Sequence, residues 1–377
     1  MKLLILSCAT GEGHNSAANA LVEAAKRKGH EVVMTDPLDF RGKRAARIAA
    51  GTYNGIIKNA PAVFGAIYNA GALYSATGWT SPIYLANAHY AGKLRTYIEE
   101  NGFDAVLCTH LFPMEALTKL KKKTDFSVPA YGILTDYTCI PFLRETQLDG
   151  YFIPHEALRQ ELVAQGIPSE RIFSSGIPVS AGFSDRTERS AARQALGMTA
   201  DLPSVLIMSG GVGCGNIQAL CDELLNRMTF PFSIYVLVGR NEDLRQELET
   251  AYESCEYLHV VPFTRQVALY MNASDVMISK PGGLSSTEAA VANIPLVHIL
   301  AFSGCETKNA AFFAEHGMSV RAANARDAVS AALELLSDKT RAEAMRTAQR
   351  ENIPSDPADR VIERVCLLYT SDAADER

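Results

Sequence analysis

Short apolar runs alternate along the chain with longer stretches in which apolar residues recur every three or four positions. The short runs predict buried strands and the periodic stretches predict helices, an alternation typical of α/β folds with parallel sheets. The first predicted helix begins near His14 and ends at Gly29. The predicted strands are residues 3–7, 31–35, 105–109, 130–134, 150–153, 204–208, 233–238, 257–261, 276–278 and 296–299.

The strands fall into two groups, separated by a polar stretch near residues 176–185. This grouping predicts two doubly wound, Rossmann-like domains, with a ligand cleft between the carboxyl ends of their strands. We expect an N-terminal domain at 1–180 and a C-terminal domain at 181–355. Residues 356–366 are expected to form a C-terminal helix, and 367–377 to be a non-native tail.

Composition excludes several classes of protein. The chain has 377 residues, 47% hydrophobic and 21% charged, which is typical of a globular protein. No run approaches the roughly 18 apolar residues of a membrane span, and the apolar start is too short for a secretory signal. The eight cysteines contain no C-x-x-C pair. We therefore expect a cytoplasmic protein without a disulfide framework or a zinc site.

Three glycine-rich loops each follow a predicted strand and open a helix, at residues 10–16, 209–216 and 279–290. Glycines allow close approach of a ligand, and a helix N-terminus offers N–H groups and positive potential to an anion. The first loop lacks the third glycine of a dinucleotide-binding fingerprint, and the second lacks the Lys-Ser/Thr of a Walker A loop. The second loop could also be no more than a tight turn.

Three side chains near these loops are candidates for chemistry. His14, in the first loop where the predicted helix begins, could act as a general base or simply hydrogen-bond locally. Asp136 follows a strand and could orient an acceptor hydroxyl, act as base, or cap a turn. Glu288, early in the helix after the third loop, could accept hydrogen bonds from ribose hydroxyls or complement the helix dipole. Ser285, Ser286 or Thr287 can cap that helix.

Residues 40–98 contain no Asp or Glu but seven basic and nine aromatic residues, among them the only Trp. Interleaved cations and aromatics are typical of a surface that binds anionic lipid. An RNA-binding surface and a buried helical subdomain are the alternatives, and the lack of a nucleic-acid-binding motif counts against RNA. The overall net charge of −6 thus hides a local basic region. The residues predicted to bind the membrane are Arg41, Lys43, Arg44, Arg47, Lys58 and Trp79.

The order of these motifs resembles the diacylglycerol glycosyltransferases, which include the monogalactosyldiacylglycerol synthases and the processive diacylglycerol glucosyltransferases. The motifs are G-E-G-H, T-D-Y followed by I-P-F, S-G-G-V-G-C-G, and K-P-G-G-L-S-S-T-E. The resemblance implies a GT-B fold, an inverting transfer from a UDP-sugar to a lipid hydroxyl, and peripheral attachment at the inner face of the cell membrane. The expected partners are a UDP-sugar, diacylglycerol and an anionic membrane surface, with no nucleic acid.

The resemblance also implies that the domain at 1–180 binds the acceptor and the membrane and that the domain at 181–355 binds the UDP-sugar. It further implies roles for individual residues. His14 would be the catalytic histidine, with Asp136 as the second candidate base, and the loop with Gly11 and Gly13 would lie beside the acceptor. Glu288 would bind the ribose and Glu306 the sugar. The other donor-binding candidates are Gly210, Gly211, Gly213, Gly215, Phe263, Lys280, Gly282, Gly283, Ser286, Thr287 and Asn309.

Two features bear on the donor and on the cofactor. The family usually has Gln before the acid that touches the sugar, whereas this chain has Cys305, a poor partner for a sugar hydroxyl. The chain contains no D-x-D triplet. We therefore expect a reaction with no metal or other cofactor, in which glycine loops hold the diphosphate.

The sequence leaves other functions open. On the same fold, the chain could be a UDP-sugar epimerase or a transferase that adds N-acetylglucosamine to a lipid precursor. It could also be a non-catalytic UDP-sugar sensor at the membrane.

Overall fold

The computed structural model divides the chain into two compact units, one formed by Met1–Ala181 with Asp356–Arg377 and the other by Gly182–Ser355. Each unit contains one six-stranded sheet whose paired strands are all parallel. The structure describes residues 1–8, 12–41, 71, 74, 79–185, 187–208, 216–299 and 304–375.

The sheet of the first unit has the order β2-β1-β3-β4-β5-β6. Its strands are short and apolar because helices cover both faces of a parallel sheet. β1, for example, buries every residue from Leu3 to Leu6 completely. The strands are β1 (Lys2–Leu6), β2 (Glu31–Thr35), β3 (Ala105–Cys108), β4 (Ala130–Ile133), β5 (Gly150–Ile153) and β6 (Ile172–Ser174).

The described helices of the first unit include α15, which returns from the end of the chain and packs against α1. α1 buries Ala17, Leu21 and Ala24 at helical spacing, and Gly29 lies just past its end with a positive φ of 79°. The helices are α1 (Glu12–Arg27), α2 (Pro82–Ala88), α3 (Ala91–Asn101), α4 (Leu111–Lys123), α5 (Arg159–Ala164) and α15 (Pro357–Asp375). Short 3₁₀ turns lie at Pro37–Arg41, Leu143–Glu145, Glu156–Leu158 and Ser169–Arg171.

The second unit repeats this architecture, with strand order β12-β11-β10-β7-β8-β9. Its strands are β7 (Ser204–Met208), β8 (Ser233–Leu237), β9 (Leu258–Val261), β10 (Val276–Ser279), β11 (Leu296–Ile299) and β12 (Val320–Ala322). α6 (Ala181–Ser184) crosses the boundary between the units. The helices that follow are α7 (Arg189–Leu196), α8 (Ile217–Asn226), α9 (Glu242–Ala251), α10 (Val267–Ala273), α11 (Gly283–Ala292), α12 (Cys305–Glu315), α13 (Ala325–Ser337) and α14 (Lys339–Asn352).

All ten predicted strands are present within one or two residues, and the prediction of two doubly wound sheets is confirmed. The sequence analysis missed β6 and β12. Both have only three residues and lie at a sheet edge, so each carries too few apolar residues to stand out. Residues 367–375, expected to be a tail, continue helix α15, where the Tyr369 hydroxyl donates to Asp104 Oδ1 at 3.1 Å.

In each sheet there is one pair of neighbouring strands from which the chain connections run to opposite sides of the sheet. In the first unit this pair is β1 and β3, and in the second it is β7 and β10. Ligands of doubly wound sheets bind beyond the carboxyl ends of the strands at such a position. Two separate places, one in each unit, are therefore favoured for a ligand.

Candidate active site

In the first unit, His14 lies where β1, β3 and β4 end. Its Nδ1 is 2.7 Å from the Thr109 carbonyl oxygen, just after β3, and 3.1 Å from Thr135 Oγ1, just after β4. Next to it, Ser7 Oγ donates to Asn15 Oδ1 at 2.7 Å and so joins the end of β1 to the start of α1. The structure thus places His14 at the switch position of the sheet.

The bond to the Thr109 carbonyl defines the form of the His14 ring. A carbonyl oxygen only accepts, so Nδ1 carries the proton and donates. In the neutral ring, Nε2 then holds the lone pair that a general base needs. Removal of the ring from water lowers the pKa of His14, although the Thr109 bond opposes this shift. His14 is therefore neutral at pH 7.

A second histidine, His110, packs against the first. The two ring centroids are 4.6 Å apart with the planes at 78°. His110 also caps α4, because its Nδ1 accepts from the backbone N–H of Phe112 at 3.2 Å. Burial lowers the pKa of His110 well below its usual value, and the nearby His14 lowers it further. Both rings are thus held uncharged side by side.

Of the other predicted residues in the first unit, Asp136 is half-buried and directly follows Thr135, the residue in contact with His14. The structure therefore brings both candidate bases to the same edge of the sheet. Gly13 lies within the first turn of α1 and is half-buried, whereas Gly11 lies outside the described residues.

In the second unit, Lys280 and Glu306 come together after β10. Lys280 Nζ is 2.6 Å from Glu306 Oε1, and both side chains are mostly buried. The second carboxylate oxygen, Glu306 Oε2, is buried and has no hydrogen-bond partner in the described part of the chain. This pair places one cation and one unsatisfied acceptor beside the loop that leads into α11.

The start of α11 differs from expectation. A serine or threonine was expected to cap the helix, but the N-cap is Gly282, and no side chain bonds to the cap position. Ser286 instead bonds His298 Nε2 at 2.9 Å, and Thr287 Oγ1 donates to the Gly283 carbonyl at 2.7 Å. Both side chains are completely buried. The capping prediction is wrong because these hydroxyls lie further into the helix and face the interior.

Asn309 and Glu288 also lie close to this loop. Asn309 is fully buried and its Nδ2 donates to the Pro281 carbonyl at 3.1 Å, so it holds the loop in place. Burial raises the pKa of the half-buried Glu288 carboxyl to about 8. Direct contact of Ser286, Thr287 or Asn309 with a donor stays a prediction, whereas their support of the loop is visible.

Phe263, one of the donor-binding candidates, lies in the loop after β9 and is 52% exposed. The Arg240 guanidinium, from the loop after β8, covers its ring at 4.7 Å from the centroid. A planar guanidinium and a ring together form a stacking surface at the carboxyl edge of the sheet.

Several predicted residues lie outside the described part of the chain. They are Gly210, Gly211, Gly213 and Gly215 of the second glycine loop, and Lys43, Arg44, Arg47 and Lys58 of the basic segment.

Among the described residues of the basic segment, Arg41 is exposed and Trp79 is 72% exposed. Ile83 and Leu85 of α2 are also exposed. The later part of the segment is different, since Tyr90, Leu94 and Ile98 are buried, and Arg95 pairs with Glu99 and Asp125. The buried-subdomain interpretation therefore applies to α3, whereas Trp79, Ile83 and Leu85 present apolar side chains to solvent.

The described residues contain neither a metal-binding cluster nor a membrane-spanning helix. Among the described residues, no group of three or more His, Cys, Asp or Glu side chains could hold a metal ion. No helix within the described ranges is both long and apolar enough to cross a bilayer.

Sequence reasoning missed four contributors to these sites: Thr109, His110, Thr135 and Arg240. Thr109 and His110 could have been predicted, because they are two polar residues at the end of an apolar run. The contacts of Thr135 and Arg240 depend on which strands are neighbours, which no local pattern reports.

Comparisons with known proteins agree with this architecture. A family model for monogalactosyldiacylglycerol (MGDG) synthase matches residues 14–179, and one for the glycosyltransferase family 28 C-terminal domain matches residues 205–361. A processive diacylglycerol beta-glucosyltransferase of Bacillus mycoides is 26% identical over 97% of this chain and 93% of its own length. Over nearly its whole length the chain is thus similar to the diacylglycerol glycosyltransferases. The resemblance drawn from the motifs is thereby confirmed.

Solved structures that superpose on this chain show that it has the GT-B fold. MurG from Acinetobacter baumannii superposes with a TM-score of 0.63 at 15% identity, covering 96% of this chain and 98% of that one. UDP-GlcNAc 2-epimerase from Neisseria meningitidis, bound to UDP-GlcNAc, superposes with a TM-score of 0.62 at 16% identity, covering 97% and 100%. At these identities the likeness establishes the fold alone.

Proposed function

We propose that this glycosyltransferase moves a hexose from a UDP-sugar to the hydroxyl of diacylglycerol, with inversion and without a metal ion. We place it on the cytoplasmic face of the cell membrane, as a peripheral protein. The observation that carries the proposal is His14, a neutral histidine oriented through Nδ1 with its Nε2 lone pair available, at the switch position of the first sheet.

In the proposed reaction, His14 Nε2 takes the proton of the acceptor hydroxyl. The oxygen forms a bond to the anomeric carbon as the bond from that carbon to the UDP oxygen breaks on the opposite face, which inverts the configuration. Asp136 is the alternative base. Thr109 and Thr135 hold the imidazole ring in position during this transfer.

The departing UDP carries negative charge, which needs stabilisation. Near the donor loop, the backbone N–H groups at the start of α11 and the Lys280 ammonium supply positive potential. The glycine loop at 209–215 would add further backbone donors. These groups support a reaction without a divalent metal.

The donor side chains have complementary roles in the proposal. Glu306 Oε2, buried without a partner in the described structure, would accept a hydroxyl of the hexose. Glu288 would bind the ribose, and the stacking surface of Phe263 and Arg240 would lie beside the uracil. Relatives named as glucosyltransferases favour glucose, whereas the matched MGDG synthase domain favours galactose.

The test is a donor panel. The purified protein is incubated with UDP-glucose, UDP-galactose or UDP-GlcNAc and vesicles containing dioleoylglycerol and anionic phospholipid, and lipids are analysed by mass spectrometry. We expect a β-linked hexosyl diacylglycerol, formed equally well in EDTA. No glycolipid with any donor overturns the proposal, and loss of activity in EDTA overturns its metal-free part.

An epimerase is the second candidate, because an epimerase superposes on this chain over its whole length. It predicts an epimerised sugar in solution without any lipid. Analysis of the aqueous phase of the same incubations separates the two activities.

A further inference from the structure

Two buried polar groups of the first unit have no role in the reaction described so far. They are Glu115 on α4, which is completely buried, and Tyr90 at the start of α3, which is 1% exposed. Glu115 Oε2 accepts from Asn87 Nδ2 of α2 at 2.6 Å. In the described part of the chain, Glu115 Oε1 and the Tyr90 hydroxyl have no hydrogen-bond partner.

Unpartnered polar atoms inside a protein are uncommon because each has lost its water without replacement. Two such groups in one region therefore require an explanation. Tyr90 lies beside the same stretch of α4, because Asn87 Nδ2 donates to Glu115 Oε2 and the Ala88 carbonyl accepts from Lys119 Nζ at 2.8 Å. A ligand that supplies oxygen atoms to both would satisfy them together.

The bond from Asn87 indicates which oxygen of Glu115 can donate. Since Oε2 accepts that bond, a proton on the carboxyl lies on Oε1, the atom without a partner. Burial and the nearby Glu145 raise the pKa of Glu115 to about 8, against the effect of the Asn87 bond. At pH 7 the group is a neutral acid that offers an O–H donor, as suits an uncharged oxygen ligand.

Glu115 lies on the helix that begins beside the candidate base. α4 begins directly after its cap, His110, whose ring packs on His14. Glu115 lies five residues after this cap, a rise of about 7.5 Å along the helix axis.

We propose that Glu115 and Tyr90 bind the glycerol head of the acceptor lipid and thereby hold its reactive hydroxyl at His14. Glu115 Oε1–H donates to an ester carbonyl or ether-like oxygen of diacylglycerol, and the Tyr90 hydroxyl bonds a second oxygen of the same head. In diacylglycerol only the glycerol carbons separate the reactive hydroxyl from the ester oxygens, which matches the short distance along α4. This inference rests on the proposed function.

Tyr90→Phe is the first test, since it removes one hydroxyl that the protein itself leaves unpaired. We expect the KM for diacylglycerol to rise about fivefold, the equivalent of one neutral hydrogen bond. The KM for the UDP-sugar and the melting temperature should equal the wild-type values within experimental error. The matched control is Tyr151→Phe, because the Tyr151 hydroxyl bonds Thr146 Oγ1 at 2.8 Å and the Leu148 N–H at 3.0 Å. That variant should lose stability and keep its KM for diacylglycerol.

Glu115 is tested with two variants. Glu115→Gln keeps an N–H donor at the unpartnered position, so the KM for diacylglycerol should stay within about twofold at pH 7. Glu115→Met removes the donor at similar volume and should raise that KM about tenfold.

The pH dependence gives an independent measurement. Above pH 8 the wild-type acid ionises and loses its donor, so its KM for diacylglycerol should rise, whereas Glu115→Gln should show no such rise. Burial raises the pKa values of Cys8, Tyr84, Tyr90 and Cys108, so these groups keep their protons in this range. The titratable and charged groups around Glu115 and Tyr90 are Cys8, Arg41, Tyr84, Cys108, Lys119 and Glu145.

The outcomes separate this inference from the proposed function. If the wild-type protein makes no glycolipid, the proposed function fails and the inference fails with it. If the wild type makes glycolipid but Tyr90→Phe and Glu115→Met keep its KM for diacylglycerol, the two groups hold only internal water and the inference alone is overturned.

Discussion

At the scale of single residues, burial shifts the pKa values of two acids and two histidines in opposite directions, and both shifts favour the uncharged form. Removal from water lowers the pKa values of His14 and His110 and raises those of Glu115 and Glu288 to about 8. Near neutral pH all four groups are therefore uncharged. A neutral histidine can accept a proton, and a neutral acid can donate a hydrogen bond. The sites are thus suited to an uncharged acceptor hydroxyl and to sugar hydroxyls.

The role of His14 can be tested directly. His14→Ala should lower kcat about 10²- to 10⁴-fold, the usual contribution of a general base, and leave the KM for the UDP-sugar near the wild-type value. Since the pKa of His14 is lowered, the wild-type kcat should persist below pH 6.5 before it declines. The matched control is His316→Ala, at the C-cap of α12, because His316 Nδ1 also bonds a carbonyl oxygen, that of Phe312, at 2.8 Å. Unchanged turnover in His14→Ala would transfer the role of base to Asp136.

Part of this residue-scale description could be predicted from the sequence. His14 and Glu288 follow glycine loops, so the local pattern identifies them. The partners could not be predicted, because Thr109, Thr135 and His110 reach His14 through the order of neighbouring strands. The hydroxyls of Ser286 and Thr287 were assigned to a cap, since a sequence does not report which side of a helix faces the interior.

At the scale of elements, apolar runs identified every strand that is buried between neighbours and missed only the two short edge strands. The packing of the last helix, α15, could not be predicted from the sequence. It buries Val361, Ile362 and Val365 in the core of the first unit, far along the chain from the strands they contact. Arg27 and Lys28 at the end of α1 pair with Asp359. α15 is therefore a structural element of the first unit.

The contribution of α15 can be measured with one core substitution. Ile362 is completely buried, so Ile362→Ala should lower the free energy of unfolding by about 2–5 kcal/mol. Leu367→Ala, on the same helix but 58% exposed, is the control and should change it by less than about 0.5 kcal/mol. Chemical denaturation followed by circular dichroism measures both. Equal, small effects would mean that α15 contributes little to the core.

At the scale of the whole molecule, the net charge of −6 is unevenly distributed. Residues 40–98 carry seven basic and no acidic side chains, so the rest of the chain is more acidic than the total indicates. The ion pairs of Arg95 with Glu99 and Asp125 neutralise one of these cations. In the same segment Trp79, Ile83 and Leu85 are exposed. A basic region with exposed apolar side chains favours an anionic bilayer surface over free solution.

This distribution predicts how the proposed binding to membranes depends on salt and on Trp79. Binding to vesicles that contain anionic phospholipid should weaken several-fold between about 0.05 M and 0.5 M salt, because salt screens attraction to the surface. Trp79→Ala should weaken binding further at every salt concentration, since it removes an apolar side chain that is 72% exposed. Leu367→Ala removes an exposed apolar residue outside the segment and should leave binding unchanged. Vesicle co-sedimentation measures the bound fraction of the wild type and of both variants. Binding that changes neither with salt nor in Trp79→Ala would mean that another surface contacts the membrane.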